Sequence, residues 1–272
     1  MSGIDASFFD VGRLDRLARQ NTPVHRLDPR AKLVTTLIFL VCVVSYDKYE
    51  VSALLPFLVY PIALASAGRI PFGYLVLRVL AVAPFAVLVG IFNPFFDREI
   101  ALRIGPLGVS GGWVSFASIL VRFGLSIGTA VVLIAVTSFD LLCLGLQRLG
   151  VPRVLTVQLL FLYRYIFVLG EEAVRLVRAR ALRSFGNRGL ELQVYANLVG
   201  HLLLRTLDRA RRIHLAMQCR GFSGEMRTLR ELRIGGAEVA FTVGWCAAFS
   251  ALRLWNVPQL LGRVVTGLVP ML

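Results

Sequence analysis

The chain has 272 residues, 57% of them hydrophobic and only 17% charged, with a mean hydropathy of +0.71 and a formal net charge of +14. A soluble domain is nearer 45–50% apolar and about 25% charged, so this chain carries too little polar surface to cover a water-soluble core of its size. That composition, with the apolar residues gathered into long runs, excludes an ordinary soluble enzyme or nucleic-acid-binding module and leaves lipid as the solvent; the positive charge then falls between the runs, as the positive-inside rule requires.

Residues 1–32 are polar and form a cytoplasmic N-terminal segment that ends in His25-Arg26-Leu27-Asp28-Pro29-Arg30-Ala31-Lys32. Asp28 is expected to act as an N-cap, and Pro29 suits the first turn of a helix. Arg26, Arg30 and Lys32 set this end in the cytoplasm. Four spans are expected within residues 33–137: Leu33 to Tyr46, Val51 to Gly68, Phe72 to Phe96 and Trp113 to Thr137. Asp47 to Glu50 is an external turn, Arg69 marks a return to the cytoplasm, and Asn93 to Gly112 reads as an external loop with room for a short hairpin. Arg122 lies inside the fourth span, where an arginine costs roughly 2.5–3.5 kcal/mol and so should face a neighbouring helix or snorkel.

Residues 138–235 change character. Ser138-Phe139-Asp140 starts a helix, Gly150-Val151-Pro152 breaks it, Val154 to Phe185 forms a second helix, and Leu190 to Arg220 a third that stops at Gly221. Tyr195, Val199, Leu202, Thr206, Ala210, Ile213 and Met217 recur at spacings of three and four, the stripe of an amphipathic helix. Between Glu171 and Arg233 stand thirteen arginines, no lysine and six carboxylates, which is half the net charge of the chain. Such a segment belongs in the cytoplasm. Residues 236–272 hold a fifth span, Ala237 to Leu252, and an apolar tail that lies at the interface or completes a sixth. The fold class is therefore all-α: an integral membrane protein with about five transmembrane helices and a cytoplasmic region of long amphipathic helices.

Catalytic and metal-binding constellations are not expected. His25, His201 and His214 are scattered, and each reads as a surface or hydrogen-bond-satisfied histidine. Cys42, Cys143, Cys219 and Cys246 have no metal-ligand spacing and imply no disulfide framework. There is no phosphate-binding loop, and the spans hold no acid for a proton relay. No signal peptide is recognisable, so insertion is expected to rely on the spans. What stands out is a pair of arginines near the ends of the two long cytoplasmic helices, in Arg178-Ala179-Arg180-Ala181-Leu182-Arg183 and Ala216-Met217-Gln218-Cys219-Arg220-Gly221-Phe222. A guanidinium is a planar fork of donors suited to carboxylates and carbonyls on a partner, and Ala179, Ala181 and Gly221 let it approach a facing groove. Arg220 has a second reading: a cation complementing the helix dipole, with Gly221 as the cap, worth about 0.3–1 kcal/mol.

The run Val24 to Lys32, together with Val151-Pro152-Arg153, Tyr163-Arg164-Tyr165, Arg175 to Arg183 and Ala216 to Phe222, in this order along one chain, resembles the transmembrane component of energy-coupling factor (ECF) transporters of the CbiQ type. The resemblance implies two Ala-Arg-Gly-like motifs at the ends of coupling helices that dock on ATPases. Carried over, the coupling residues are Ala179, Arg180 and Ala181 in the first motif and Cys219, Arg220 and Gly221 in the second. The motifs depart from the pattern, reading Ala-Arg-Ala and Cys-Arg-Gly, but keep the arginine.

The resemblance further implies a non-catalytic scaffold in the cell (inner) membrane, without a cofactor of its own. Its expected partners are two ATP-binding subunits of the CbiO/EcfA type, which hold ATP and magnesium, and a substrate-binding membrane subunit of the CbiM type, with or without CbiN. Cobalt ion, feeding cobalamin synthesis, is the expected substrate. Nickel, a vitamin, or a self-contained permease are the alternatives, and a membrane enzyme would need a nucleophile–base or acid pair that the sequence does not offer.

Overall fold

The computed structural model describes residues 15, 17–47, 50–96, 100–104, 107–183, 192–224 and 234–254; residues 95, 96, 100–104, 107–110, 181, 183 and 192–195 are described by backbone alone. The chain divides into two compact units, one of residues 16–138 and 232–272, the other of residues 1–15 and 139–231. The expected tail from Pro258 to Leu272 lies outside the described residues.

The larger unit begins with a helical turn α1 (Pro23–Arg26) and helix α2 (Pro29–Val44). Asp28 caps α2 by accepting a hydrogen bond from the Arg30 amide at 2.9 Å, with Pro29 at the first position, as the sequence leads one to expect. The second apolar run is segmented: α3 (Val51–Leu54), a 3-10 turn (Leu55–Leu58) and α4 (Val59–Ala67). Pro56 sits at the start of the 3-10 turn, where its missing N–H removes an α-helical hydrogen bond. The third run is α5 (Phe72–Gly90); it stops at Gly90, short of the expected Phe96, and residues Asn93–Phe96 form a separate turn, α6. The external loop does hold a hairpin, β1 (Ile100–Ile104) paired antiparallel with β2 (Leu107–Ser110). Helix α7 (Gly111–Val136) follows, and α11 (Gly236–Leu254) closes the unit.

Packing fixes the direction of each pass. Lys32 near the start of α2 donates from Nζ to the Val136 carbonyl at the end of α7 at 3.0 Å, and Arg122 of α7 donates to the Asp47 carbonyl beyond the end of α2. The two helices are therefore antiparallel. Gly68, at the end of α4, lies so close to α7 that an added Cβ would be 2.8 Å from Val136 Cγ1. Because glycine is needed there for the close approach, the left-handed residue of the helix end is Arg69 (φ 52°), one of few non-glycine side chains to take that region.

Gly90 meets Phe116 in the same way, so the far end of α5 lies near the start of α7. Helix α11 runs parallel to α2: the Tyr46 hydroxyl donates to Leu252 O at 3.3 Å, Arg253 donates to Ser45 O at 3.1 Å, and the Phe39 and Phe249 rings are 5.5 Å apart. Phe39, Phe57, Tyr60, Trp245 and Phe249 form the aromatic centre of the unit, joining α2, the broken second pass and α11. The five passes thus alternate, with Lys32, Arg69, Val136 and Gly236 at one end of the unit.

The smaller unit holds α8 (Phe139–Arg148), α9 (Arg153–Arg183) and α10 (Leu192–Cys219). Phe139 stacks on Tyr163 with ring centroids 4.4 Å apart, tying α8 to α9. By length and apolar content four described helices suffice to cross a bilayer: Phe72–Gly90, Gly111–Val136, Arg153–Arg180 and Gly236–Leu254, with Val51–Ala67 apolar but shorter. The third of these is α9, which the sequence reading assigns wholly to the cytoplasmic region; its first half is apolar enough to sit in lipid and its arginines are confined mainly to its second half.

Candidate coupling site

Helix α10 ends where the sequence places its end, and the geometry is specific. Phe222 N–H donates to Met217 O at 3.0 Å, Gly221 N–H donates to Gln218 O at 2.9 Å, and Gly221 has φ +77°. These two bonds define a Schellman motif with Arg220 as the cap residue and Gly221 in the left-handed region. The hydrophobic pair that usually accompanies the motif is present as Met217 and Phe222, which line one groove. Arg220 is exposed, as are Cys219 and Gly221. Cys219 is a free thiol at the last helical position.

The Ala179-Arg180-Ala181 motif is different. It lies inside α9, which continues to Arg183, so Arg180 projects from a helix body about one turn before the last described helical residue. Alanine at 181 is the best of helix formers and cannot cheaply take the left-handed cap that Gly221 takes, which is why the first motif does not terminate its helix at the same place. Arg180 is partly buried and Ala179 exposed; Arg180 and Arg178 are engaged with other residues of the chain.

Helices α9 and α10 pack antiparallel. Arg205 Nη1 donates to Glu172 Oε1 at 2.9 Å, and Glu172 also lies 4.0 Å from Arg175. Farther along, Phe161 and Tyr165 of α9 share a groove with Ile213, Met217 and Phe222. This arrangement does not bring the two motif arginines together. Arg220 lies near the Phe161 end of α9, and the nineteen residues from Phe161 to Arg180 are about 28 Å of helix. The Glu172–Arg205 tie is not singled out by the sequence, although Glu171 and Glu172 are the only adjacent acid pair among the arginines.

The Val24–Lys32 run proves to be a structural clamp. The His25 ring is buried; its Nδ1 is 2.7 Å from the Thr22 hydroxyl and its Nε2 is 3.0 Å from Leu17 O. The carbonyl must accept, so Nε2 carries the proton and Nδ1 accepts from Thr22, the satisfied histidine that the sequence suggested. Burial pushes its pKa below 6.5; backbone bonds to Ala135 and Leu17 oppose the shift, and the Lys32 charge adds to it. Lys32, read from sequence as a boundary cation, is 1% exposed. Among the described residues no group of three or more His, Cys, Asp or Glu could hold a metal ion.

Residues 20–229 match the model of a protein family described as cobalt transport protein, CbiQ. The chain belongs to this family. A protein named cobalt transport protein CbiQ from Rhodobacter capsulatus is 34% identical over 134 residues, 48% of this chain and 55% of that protein. An energy-coupling factor transporter transmembrane protein EcfT from Heliobacterium modesticaldum is 30% identical over 254 residues, covering 87% of this chain and 94% of its own length. Another EcfT, from Thermosediminibacter oceani, is 26% identical over 261 residues, 90% of this chain and 95% of the relative. As a CbiQ-family chain it is a transmembrane component of a transporter rather than a catalytic enzyme. The run Val24 to Lys32, Val151-Pro152-Arg153, the α9 arginines and the capped end of α10 all fall within the matched residues.

Proposed function

We propose that this CbiQ-family chain is the energy-coupling subunit of an ECF-type importer for cobalt ion, feeding cobalamin synthesis. It takes up work from two ATP-hydrolysing subunits of the CbiO/EcfA type and delivers it to a CbiM-type membrane subunit, with or without CbiN, that captures the metal. ATP and magnesium belong to the partners. The names of the relatives favour both halves of this reading, one half naming cobalt transport and the other energy coupling.

The observation that supports it is where the two ends of the arginine-rich segment join the membrane unit. Ser138 follows the end of α7 beside Lys32, and Gly235 precedes α11, which runs parallel to α2; both therefore open on the same end of the membrane unit as Lys32. The intervening chain must cross the bilayer an even number of times. Of its described helices only α9 is apolar and long enough to cross, and we take the stretch to stay on one side. The basic residues at that end (Arg26, Arg30, Lys32 and Arg69) favour the cytoplasm, and the thirteen arginines go with them.

Arg180 and Arg220, on separate helices and far apart along α9, then suit two separate docking points on a pair of ATPases. Helices of 31 and 28 residues, about 46 and 42 Å long, serve as levers between them. A Schellman cap fixes the backbone that carries Arg220, while its exposed guanidinium keeps its donors available to a partner.

The test is Arg180→Glu with Arg220→Glu in the full transporter. Membrane insertion should persist, while co-purification of the ATPase subunits and uptake of radiolabelled cobalt should fall at least tenfold, and single changes should be milder. A double variant that assembles and transports normally refutes the coupling role. Wild-type cobalt uptake that an equal concentration of nickel abolishes refutes cobalt as the preferred metal.

A further inference from the structure

Two cavities run side by side between α9 and α10, and they differ in character. One, of about 570 Å³, is lined by Glu172, Arg205, Asp208, Arg209 and Arg212 among others. Its neighbour, of about 400 Å³, is lined chiefly by Phe161, Tyr165, Leu207, Ile213, Met217 and Phe222. Leu169, Thr206, Arg209 and Ile213 belong to both walls, so the charge-lined space and the apolar one adjoin. Adjoining spaces, one cationic and one apolar, suit the two ends of an amphiphile.

The charges specify its head group. Glu172 is taken up by Arg205, at 2.9 Å. Asp208 offsets one more cation, and one net positive charge is left in the wall. Arg209 and Arg212 form no ion pair among the described residues. One phosphodiester, with one negative charge, matches that remainder. The surroundings agree. Phe161, Tyr163, Tyr165 and Phe167 cluster toward the end of the apolar first half of α9, just before its arginine-rich second half, the composition of a segment at the membrane–water interface. Juxtamembrane arginines are drawn to anionic lipids of the cytoplasmic leaflet, each worth about 1 kcal/mol near the surface.

We propose that this groove holds an anionic phospholipid, its phosphodiester on Arg209 and Arg212 and one acyl chain along Phe161, Tyr165, Ile213 and Met217. Filling the groove would join α9 to α10 over the stretch between the Glu172–Arg205 tie and the Schellman cap. The site does not depend on docking to ATPases, and its occupancy is read without transport, so the two readings fail separately.

The test uses the full chain, alone and in the assembled transporter, purified from bilayers of phosphatidylcholine containing phosphatidylglycerol and examined by native mass spectrometry. Wild type should retain one phosphatidylglycerol in preference to phosphatidylcholine. Arg209→Gln with Arg212→Gln should lower that occupancy about tenfold, whereas Arg211→Gln, which removes a charge from the same helix outside the groove, should leave it unchanged. Ile213→Trp, which fills the apolar wall without touching charge, should lower it too. Glycerophosphoglycerol, the head group without chains, should not displace the lipid at millimolar concentration. Equal retention of both lipids, displacement by the chain-free head group, or loss of the lipid on assembly (the mark of a protein segment as the true occupant) would each overturn the proposal.

Discussion

Replacing Lys32 by methionine removes one charged donor and almost no volume from a site closed to solvent. Lys32 is 1% exposed and its ammonium donates to Val136 O at 3.0 Å, where the last turn of α7 leaves carbonyls without partners in the helix. Hydrogen bonds from charged groups contribute about 1.5–3 kcal/mol, and a buried carbonyl stripped of its donor keeps its desolvation penalty. Methionine fills the stem's volume but donates nothing, so the loss should be about 2–3 kcal/mol. For a chain of this size that corresponds to a fall of about 4–10 °C in the melting temperature. The assay is thermal unfolding of the purified full-length chain in one detergent. Lys32→Arg is the companion variant, which keeps the charge but overfills the pocket, and it should fall between the two. A methionine variant that melts with the wild type would show that the ammonium does not hold α2 to α7, and the clamp reading of the Val24–Lys32 run would fail.

Two further changes test neighbouring claims. His25 is buried neutral, and its folded pKa lies below the unfolded value of 6.5. Its contribution to stability is therefore complete above pH 6.5 and lost as the pH falls through the folded pKa, when Nδ1 must give up its bond from Thr22. Melting temperature should drop between about pH 7 and 5 in the wild type, and His25→Gln should be less stable at pH 7.5 but flatter over that window. At the end of α10, Gly221→Ala forces a side chain into φ +77° at a cost of about 1 kcal/mol, enough to raise local opening about fivefold. Hydrogen exchange at the amides of Gly221 and Phe222 should report that increase, with exchange in α2 unchanged.

Particular residues explain what could be read from the sequence. The cap at Asp28-Pro29, the stop at Gly221 and the stripe on α10 depend on local rules, and the helix bounds agree with expectation to within a few residues. Leu202, Thr206, Ile213 and Met217 of that stripe are partly sheltered, and Arg205, Asp208, Arg211 and Arg212 are exposed. The burial of Lys32 is not legible locally, because a lysine at the end of an apolar run ordinarily reaches head groups and only the arrival of α7 from a hundred residues away encloses it. The same holds for the groove between α9 and α10. Arg209 and Arg212 look like any other members of an arginine-rich helix until α9 lies across them, because their ligand-binding character comes from the neighbouring apolar wall.

Arg122 raised the question of how a guanidinium is tolerated within a span, and the lengths of the helices answer it. Helix α2 has 16 residues, about 24 Å, against roughly 30 Å of hydrocarbon, whereas the 26 residues of α7 extend about 39 Å. With Lys32 and Val136 at one level, α2 gives out partway up α7, and its last carbonyls would face lipid unpaired. Arg122 from α7 reaches Asp47 O, and Arg253 from α11 reaches Ser45 O at 3.1 Å while its guanidinium lies 4.2 Å above the Tyr46 ring. Both cations stand at the negative end of the α2 dipole, where positive charge is favoured. A short first helix and two arginines at that depth are thus one feature: the carbonyls that α2 leaves open supply acceptors that lipid cannot, and the arginines supply donors that water would otherwise provide.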